Sequence, residues 1–300
     1  MQDFDPNERL FKDDYAYDNR SDIAFGSTQQ DADPTMQRVV IPGKRLSPEE
    51  QESWYKYQMR ASMPDFGRSA PVVNSKAKAP SSKVIQRWND TKQYFVDASI
   101  KAKVDVGTVV KIANFESSGF RSDARPISFK YPEKNTVKQF DGVMAMSSAY
   151  GFGQFTDDTW TGMLRQNGAN YGIDNADSLT GLQAAGYRKD VKLQAAMLAE
   201  FTKDNISLGR RIGGTDDDAN VYALHNLGTP TGTKFLNALV GTPDASVSTV
   251  LRSNIISGNQ SLYGDGSISL KQAYERMGNV MRDGNVFADE ARILLNKQKR

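Results

Sequence analysis

The chain has 300 residues, 38 Lys and Arg against 36 Asp and Glu, one histidine and no cysteine. That length admits one sizeable domain with an appendage or two small ones, and the missing cysteine excludes a disulfide frame and any thiolate-bound metal. A net charge of +2 from scattered basic residues gives no nucleic-acid footprint, and no run of about 18 apolar residues offers a membrane-spanning helix.

The start, Met1-Gln2-Asp3-Phe4-Asp5-Pro6, lacks the basic lead and apolar core of a secretory signal, so synthesis in a cytoplasm is expected. Residues 1–33 are acidic, with Asp13, Asp14, Asp18 and Asp22 among them, whereas the last four residues are Lys297-Gln298-Lys299-Arg300. Prolines at 6, 34, 42, 48, 64, 71 and 80 divide residues 1–80 into short pieces. Within them Ser47-Pro48-Glu49-Glu50 predicts one helix to about Ser62, carrying Trp54, Tyr55, Tyr57 and Met59. Phe4, Phe11, Tyr15, Tyr17 and Phe25 leave two readings of 1–80: a flexible tail, or an extended arm that becomes ordered on a partner. Lys76 to Pro80 reads as a linker.

From Ser81 the pattern is helical. Val84, Ile85, Trp88, Phe95, Val96 and Ile100 predict a helix to about Ala102, and Asp105 is placed to cap the next one. That second helix carries Val106, Val109, Val110 and Ala113 and ends at Glu116, beside Phe115 and Phe120. A carboxyl crowded by apolar groups loses hydration, which disfavours its ionised form. It can then hold a proton near neutral pH and deliver it to a leaving oxygen. Taken alone, a Glu-Ser-Ser at a helix end is an ordinary surface feature; the downstream pattern is what singles it out.

Arg121 to Gly142 is polar, contains Pro126 and Pro132, and is expected to be a loop or small strand insertion, a candidate flap over a cleft. Ser147 to Thr156 contains Gly151-Phe152-Gly153-Gln154-Phe155, whose glycines permit a tight turn or a close ligand. Thr156 or Asp157 then starts a helix with Trp160, Met163 and Leu164 inward. Asp190 to about Leu208 is the strongest helical pattern of the chain. Val221 to Gly228 holds His225, whose solitude excludes a multi-histidine metal site; a lone histidine beside an apolar run is more often a packing residue than a catalyst. Thr229-Pro230-Thr231-Gly232 is expected to end that element, with a short helix from Lys234 to Val240 and another helical pattern over 243–256. Leu262 to Gly266 reads as a turn, Ser269 as the cap of a helix over Leu270–Met281, and Asp289–Asn296 as a polar tail helix. The fold class is mainly α with a small loop or β insertion, and the divisions are an arm at 1–80, a domain at 81–284 and a tail at 285–300.

Three segments in order resemble the soluble lytic transglycosylase domain, which belongs with the goose-type lysozymes. Glu116-Ser117-Ser118-Gly119-Phe120 is similar to that family's Glu-Ser-x-Phe signature, and Gly151-Phe152-Gly153-Gln154-Phe155-Thr156 with Thr159-Trp160 to its Gly-Leu-Met-Gln stretch. Tyr222-Ala223-Leu224-His225-Asn226-Leu227-Gly228 stands where the family often has Ala-Tyr-Asn-Ala-Gly, with histidine in place of the usual tyrosine. His225-Asn226-Leu227-Gly228 followed by Gly232-Thr233-Lys234-Phe235-Leu236 resembles the branch found in bacteriophage wall-degrading proteins. The resemblance spans about residues 84–282.

It implies a lysozyme-like helical domain with an elongated glycan groove, needing no cofactor and no metal. Glu116 would be the general acid and then base, with substrate contacts from Ser117, Gly153, Gln154, Phe155, Tyr222, His225 and Asn226, and Ser117 alternatively orienting the acid. The implied activity is cleavage of the MurNAc–GlcNAc β-1,4 bond of peptidoglycan with a 1,6-anhydro product. The implied carrier is a phage particle whose tail or internal proteins hold residues 1–80, in several copies, and which acts in the host periplasm during genome delivery. No nucleic-acid partner and no transmembrane segment are expected. Two alternatives stand beside it: a phage endolysin acting as a hydrolytic lysozyme, and an inactive virion component with a glycan-binding fold. Asp157 or Asp158 would favour hydrolysis if either faced Glu116 across a water-sized gap.

Overall fold

A computed structural model of the chain describes residues 79–298 except Thr215. The helix expected over 47–62 and the arm that contains it lie outside the described residues.

The described residues are mainly helical. Helix α1, Ser82–Ala102, starts on Ser81, whose hydroxyl accepts from Val84 N, and buries Trp88, Phe95 and Val96. Helix α2, Val106–Glu116, starts on Asp105, whose carboxylate accepts from Thr108 N at 2.9 Å. Every residue from Val106 to Ala113 is buried, because α2 packs against four helices: α1, α5 (Val191–Ile212), α9 (Leu270–Arg282) and α10 (Asn285–Gln298). Full burial of each Val or Ile there stabilises the fold by about 1.5–3 kcal/mol. Lys111 sits in the same buried run and its ammonium meets Asp218 at 2.6 Å, so the charge goes inside paired.

Between α2 and the next helix lies the expected insertion, a two-stranded antiparallel hairpin of β1 (Val137–Lys138) and β2 (Met144–Ala145) preceded by a short 3-10 turn. Helix α3 (Asp157–Asn167) follows N-cap Thr156, and the short α4 (Gly181–Gly186) starts on a capping box of Thr180 and Gln183. Helix α5 starts on Asp190, which accepts from Lys192 N and Leu193 N.

Helix α6, Asp217–Gly241, corrects one expectation. The break falls at Gly228 (φ 69°, ψ 161°), ahead of Thr229–Gly232, and those residues open the second half of the helix. Only glycine adopts that backbone readily, and Pro230 two residues later needs no helical partner for its missing N–H in a first turn. The helical pattern over 243–256 is also interrupted. Val247 N and Ser248 N bond Ile268 O and Gly266 O, so this stretch pairs with a distant strand-like segment. It yields only a 3-10 turn at Val247–Thr249 and the short α7, Ser253–Gly258. The expected turn at 262–266 is preceded by one more helical turn, α8 (Gln260–Tyr263).

The C-terminal helix α10 departs from a polar tail. Phe287, Ala288 and Ala291 are buried, and Phe287 packs 5.0 Å from Phe120 and 5.5 Å from Trp88. No helix among the described residues is long and apolar enough to cross a membrane.

Candidate active site

Glu116 is the last residue of α2, and the chain turns sharply beyond it. Ser117 closes the helix by donating its hydroxyl to Ala113 O at 2.5 Å and is fully buried. Ser118, Gly119 and Phe120 then take left-handed backbone conformations in succession. Gly119 has no alternative: a Cβ there would lie 2.7 Å from Val84 Cγ2. Phe120 is held in its costly conformation by aromatic packing against Trp88, Phe95 and Phe287. The turn is thus built by the core beneath it.

The Glu116 side chain is 15 % exposed and its Oε1 accepts a 2.7 Å hydrogen bond from the Tyr222 hydroxyl. Burial pushes its pKa up from 4.5 to about 7, opposed by the Tyr222 bond, with no neighbouring carboxylate contributing. The position at a helix C-terminus acts in the same direction as burial, since the last carbonyls present partial negative charge.

Tyr222 and His225 lie one turn apart on α6, their rings stacked at 6.3 Å. The His225 ring is nearly enclosed, touching Phe155 and Phe201, and burial lowers its pKa from 6.5 to about 4. The imidazole is therefore neutral at physiological pH. Its Nε2 lies 3.1 Å from Gly153 O, an atom that can only accept, so Nε2 carries the hydrogen. The same Nε2 is 4.0 Å from Glu116 Oε1, while the buried Nδ1 has no hydrogen-bond partner. Phe115 meets Tyr222 edge-on at 5.5 Å.

Three separated segments therefore meet: the end of α2, the glycine turn through Gly153 O, and the 222–226 stretch of α6. Within the turn, Gln154 spends its amide N–H groups on Ala124 O and Gly151 O, at 3.0 and 2.8 Å, which holds the turn's shape. Asn226 faces a second polar group, accepting from the Tyr263 hydroxyl at 2.6 Å and donating to Asn259 Oδ1 at 3.2 Å. Asp157 is engaged elsewhere: Arg188 donates to its carboxylate at 2.5 Å and to Phe155 O at 2.6 Å, and Asp158 is exposed on the first turn of α3.

Sequence reasoning missed four supports of this site. Arg188 clamps the end of the glycine turn as described. Gln194 on α5 accepts from Phe152 N and donates to Ser122 O and Arg188 O, tying the turn to the loop after Glu116. A glutamine on the buried face of an amphipathic helix was the available signal. Tyr263 and Asn259, which orient Asn226, left no such mark in the sequence.

A cavity of about 190 Å³ lined by Asp105, Thr108, Arg210, Asp217 and Asn220 among others lies at the N-terminal end of α2. The eleven residues of α2 set that end about 16 Å from Glu116. Among the described residues no three of His, Cys, Asp or Glu converge as metal ligands. Comparison with protein-family models, curated proteins and solved structures finds no match to this chain.

Proposed function

We propose that the protein is a peptidoglycan lytic transglycosylase with a lysozyme-like domain and Glu116 as its acid and base. The observation that carries this reading is a nearly buried carboxyl that stays protonated to about pH 7, hydrogen-bonded to Tyr222 beside the glycine turn. At neutral pH such a group can give its proton to the glycosidic oxygen as the bond to the anomeric carbon breaks. The substrate's own acetamido oxygen then attacks that carbon. Glu116, now a carboxylate, removes the proton of the 6-hydroxyl, whose oxygen closes the anhydro ring and displaces the acetamido oxygen. Proton transfer of this kind contributes about 10²–10⁴-fold, and the remainder comes from positioning the sugar.

A single-carboxylate route is favoured because no second carboxylate bears on the Glu116 titration and Asp157 is bound to Arg188. Asn226 and the edge of the neutral His225 would approach the sugar, while the fully buried Tyr222 acts on it through Glu116. The likeness of His225–Gly228 and Gly232–Leu236 to phage wall-degrading proteins supports a place in a virion, with residues 1–80 docking to tail or internal proteins.

The test is Glu116→Gln on purified sacculi, with released muropeptides weighed by mass spectrometry. The wild type should release anhydro products and the variant, folded and still binding sacculi, almost none. Products heavier by one water would make the protein a hydrolase, and equal release by the two proteins would remove Glu116 from the reaction.

A further inference from the structure

Nine large apolar side chains stand exposed among the described residues, and five of them fall within the insertion between α2 and α3: Phe129, Tyr131, Val143, Met144 and Met146. Phe129 is 88 % exposed. The backbone that presents them is cross-braced. Arg125 makes two 3.0 Å bonds to Asp141, Asn135 bonds Ser128 N and Ser128 O at 2.9 Å, and the buried Gln139 donates to Ser147 O and Ala149 O. In the hairpin Val137 pairs with Ala145 and Lys138 with Met144. Ala145 is fully buried, so the Val137–Ala145 face turns inward and the Lys138–Met144 face turns out.

The unpaired charge around these side chains is mostly positive. Lys130, Lys134 and Lys138 are exposed and none has a carboxylate partner among the described residues; Lys130 and Lys134 instead lie 5.0 and 4.6 Å from the Tyr131 ring. Asp123 pairs with Arg121 and Asp141 with Arg125, which leaves Glu133 as the one acid opposing three lysines without a carboxylate partner among the described residues.

We propose that this insertion docks the protein on an anionic lipid surface, with Phe129, Met144 and Met146 entering the interface and Lys130, Lys134 and Lys138 meeting lipid phosphates. Exposed apolar tips interleaved with lysines are what such an interface rewards: the side chains leave water for acyl chains while each ammonium stays at headgroup level. A glycan surface fits less well. Flat rings stack on sugars, whereas Val143, Met144 and Met146 gain by entering hydrocarbon. The proposal stands apart from the reaction assigned to Glu116.

Sedimentation of the full chain with vesicles tests it, using phosphatidylcholine alone or with about one third phosphatidylglycerol. Binding should favour the anionic vesicles. The triple variant K130Q/K134Q/K138Q should lower it about 100-fold, from three lysines near the surface. Phe129→Ser should lower it about 10-fold with the charge unchanged. Leu182→Ser, which removes an equally exposed side chain from outside the insertion, should change nothing. Equal binding to both vesicle types, full binding by the Phe129→Ser variant, or a preference for purified sacculi over anionic vesicles would each overturn the proposal.

Discussion

The Tyr222 hydroxyl donates to Glu116 Oε1 across 2.7 Å and is the one bond that opposes the desolvation of that carboxyl. A donor aimed at a carboxylate favours the charged form. Tyr222→Phe keeps the ring packed edge-on against Phe115 and removes the donor alone. The titration midpoint of Glu116 should then move above about 7. Loss of a bond worth about 1.5 kcal/mol corresponds to roughly one pH unit. Carboxyl-carbon NMR reads the shift without reference to activity, and the pH profile of muropeptide release should move with it. An unmoved midpoint would mean that Tyr222 leaves the charge state alone.

The same carboxyl makes stability pH-dependent in a direction that can be worked out. Glu116 ionises near 4.5 in the unfolded chain and near 7 in the fold, so between those values the unfolded state binds fewer protons. Its contribution is fully present below 4.5 and is lost as pH rises to about 7. Across that window the loss is on the order of 3 kcal/mol. Glu116→Gln has no such charge to bury. It should therefore unfold at the wild-type temperature near pH 4.5 and about 6–12 °C higher near pH 8. Parallel melting curves at both pH values would contradict a buried, neutral Glu116.

His225 works the opposite way. Its pKa falls from 6.5 to about 4 on burial, so the stability it contributes is complete above 6.5 and is lost as pH drops toward 4. The imidazole C–H resonances should stay put from pH 8 down to about 5.5, where an ordinary histidine would have titrated. The limb of the muropeptide-release profile near 7 then belongs to Glu116 alone. A midpoint close to 6.5 would place the ring in water and break the stacked arrangement with Tyr222.

What the sequence made legible was local. Asp105 and Ser269 were readable as caps because a cap needs only its own side chain and a backbone N–H a few residues on. Glu116 was readable as a helix end, and the order of the three motifs brought their residues into one candidate site. The misreadings involve competition between distant groups. Thr229–Gly232 contains a proline and a glycine and looks like a stop, yet Gly228 bends first and frees the proline to begin a helix. Residues 243–256 have helical spacing, but their N–H groups find Gly266 and Ile268. Gln194 and Tyr263 act on the site through hydrogen bonds to residues 37 or more positions away, which no periodicity encodes.

Gly119 offers a test of the turn beyond Glu116. Its φ of 80° disfavours any side chain, and an added Cβ would lie 2.7 Å from Val84 Cγ2. Gly119→Ala should cost about 2–4 kcal/mol, the left-handed penalty and the overpacking together. Val84→Ala removes the clash and should restore part of the loss in the double variant, leaving the backbone penalty. Denaturant titration of the four proteins measures that coupling; strict additivity would mean the two residues do not meet.

The C-terminal helix gives the last prediction. Its polar residues suggested a tail, but they are the partners of α1 and α2: Glu290 accepts from Trp88 Nε1 at 2.7 Å and from Lys92 at 2.8 Å, and Arg292 donates to Asp105, the cap of α2. Phe287 on the same helix closes the aromatic group that holds Phe120 in its left-handed turn. Ending the chain after Gly284 would therefore strip the cover from α2 and loosen the turn beyond Glu116 at once. Phe287→Ala is the milder version and should cost about 3–5 kcal/mol. It should also lower the titration midpoint of Glu116 toward 4.5 as water gains access. Conversely, Val286→Ser on the exposed side of the helix should alter neither quantity, and a truncated chain with wild-type stability and an unchanged Glu116 would return the helix to the status of an appendage.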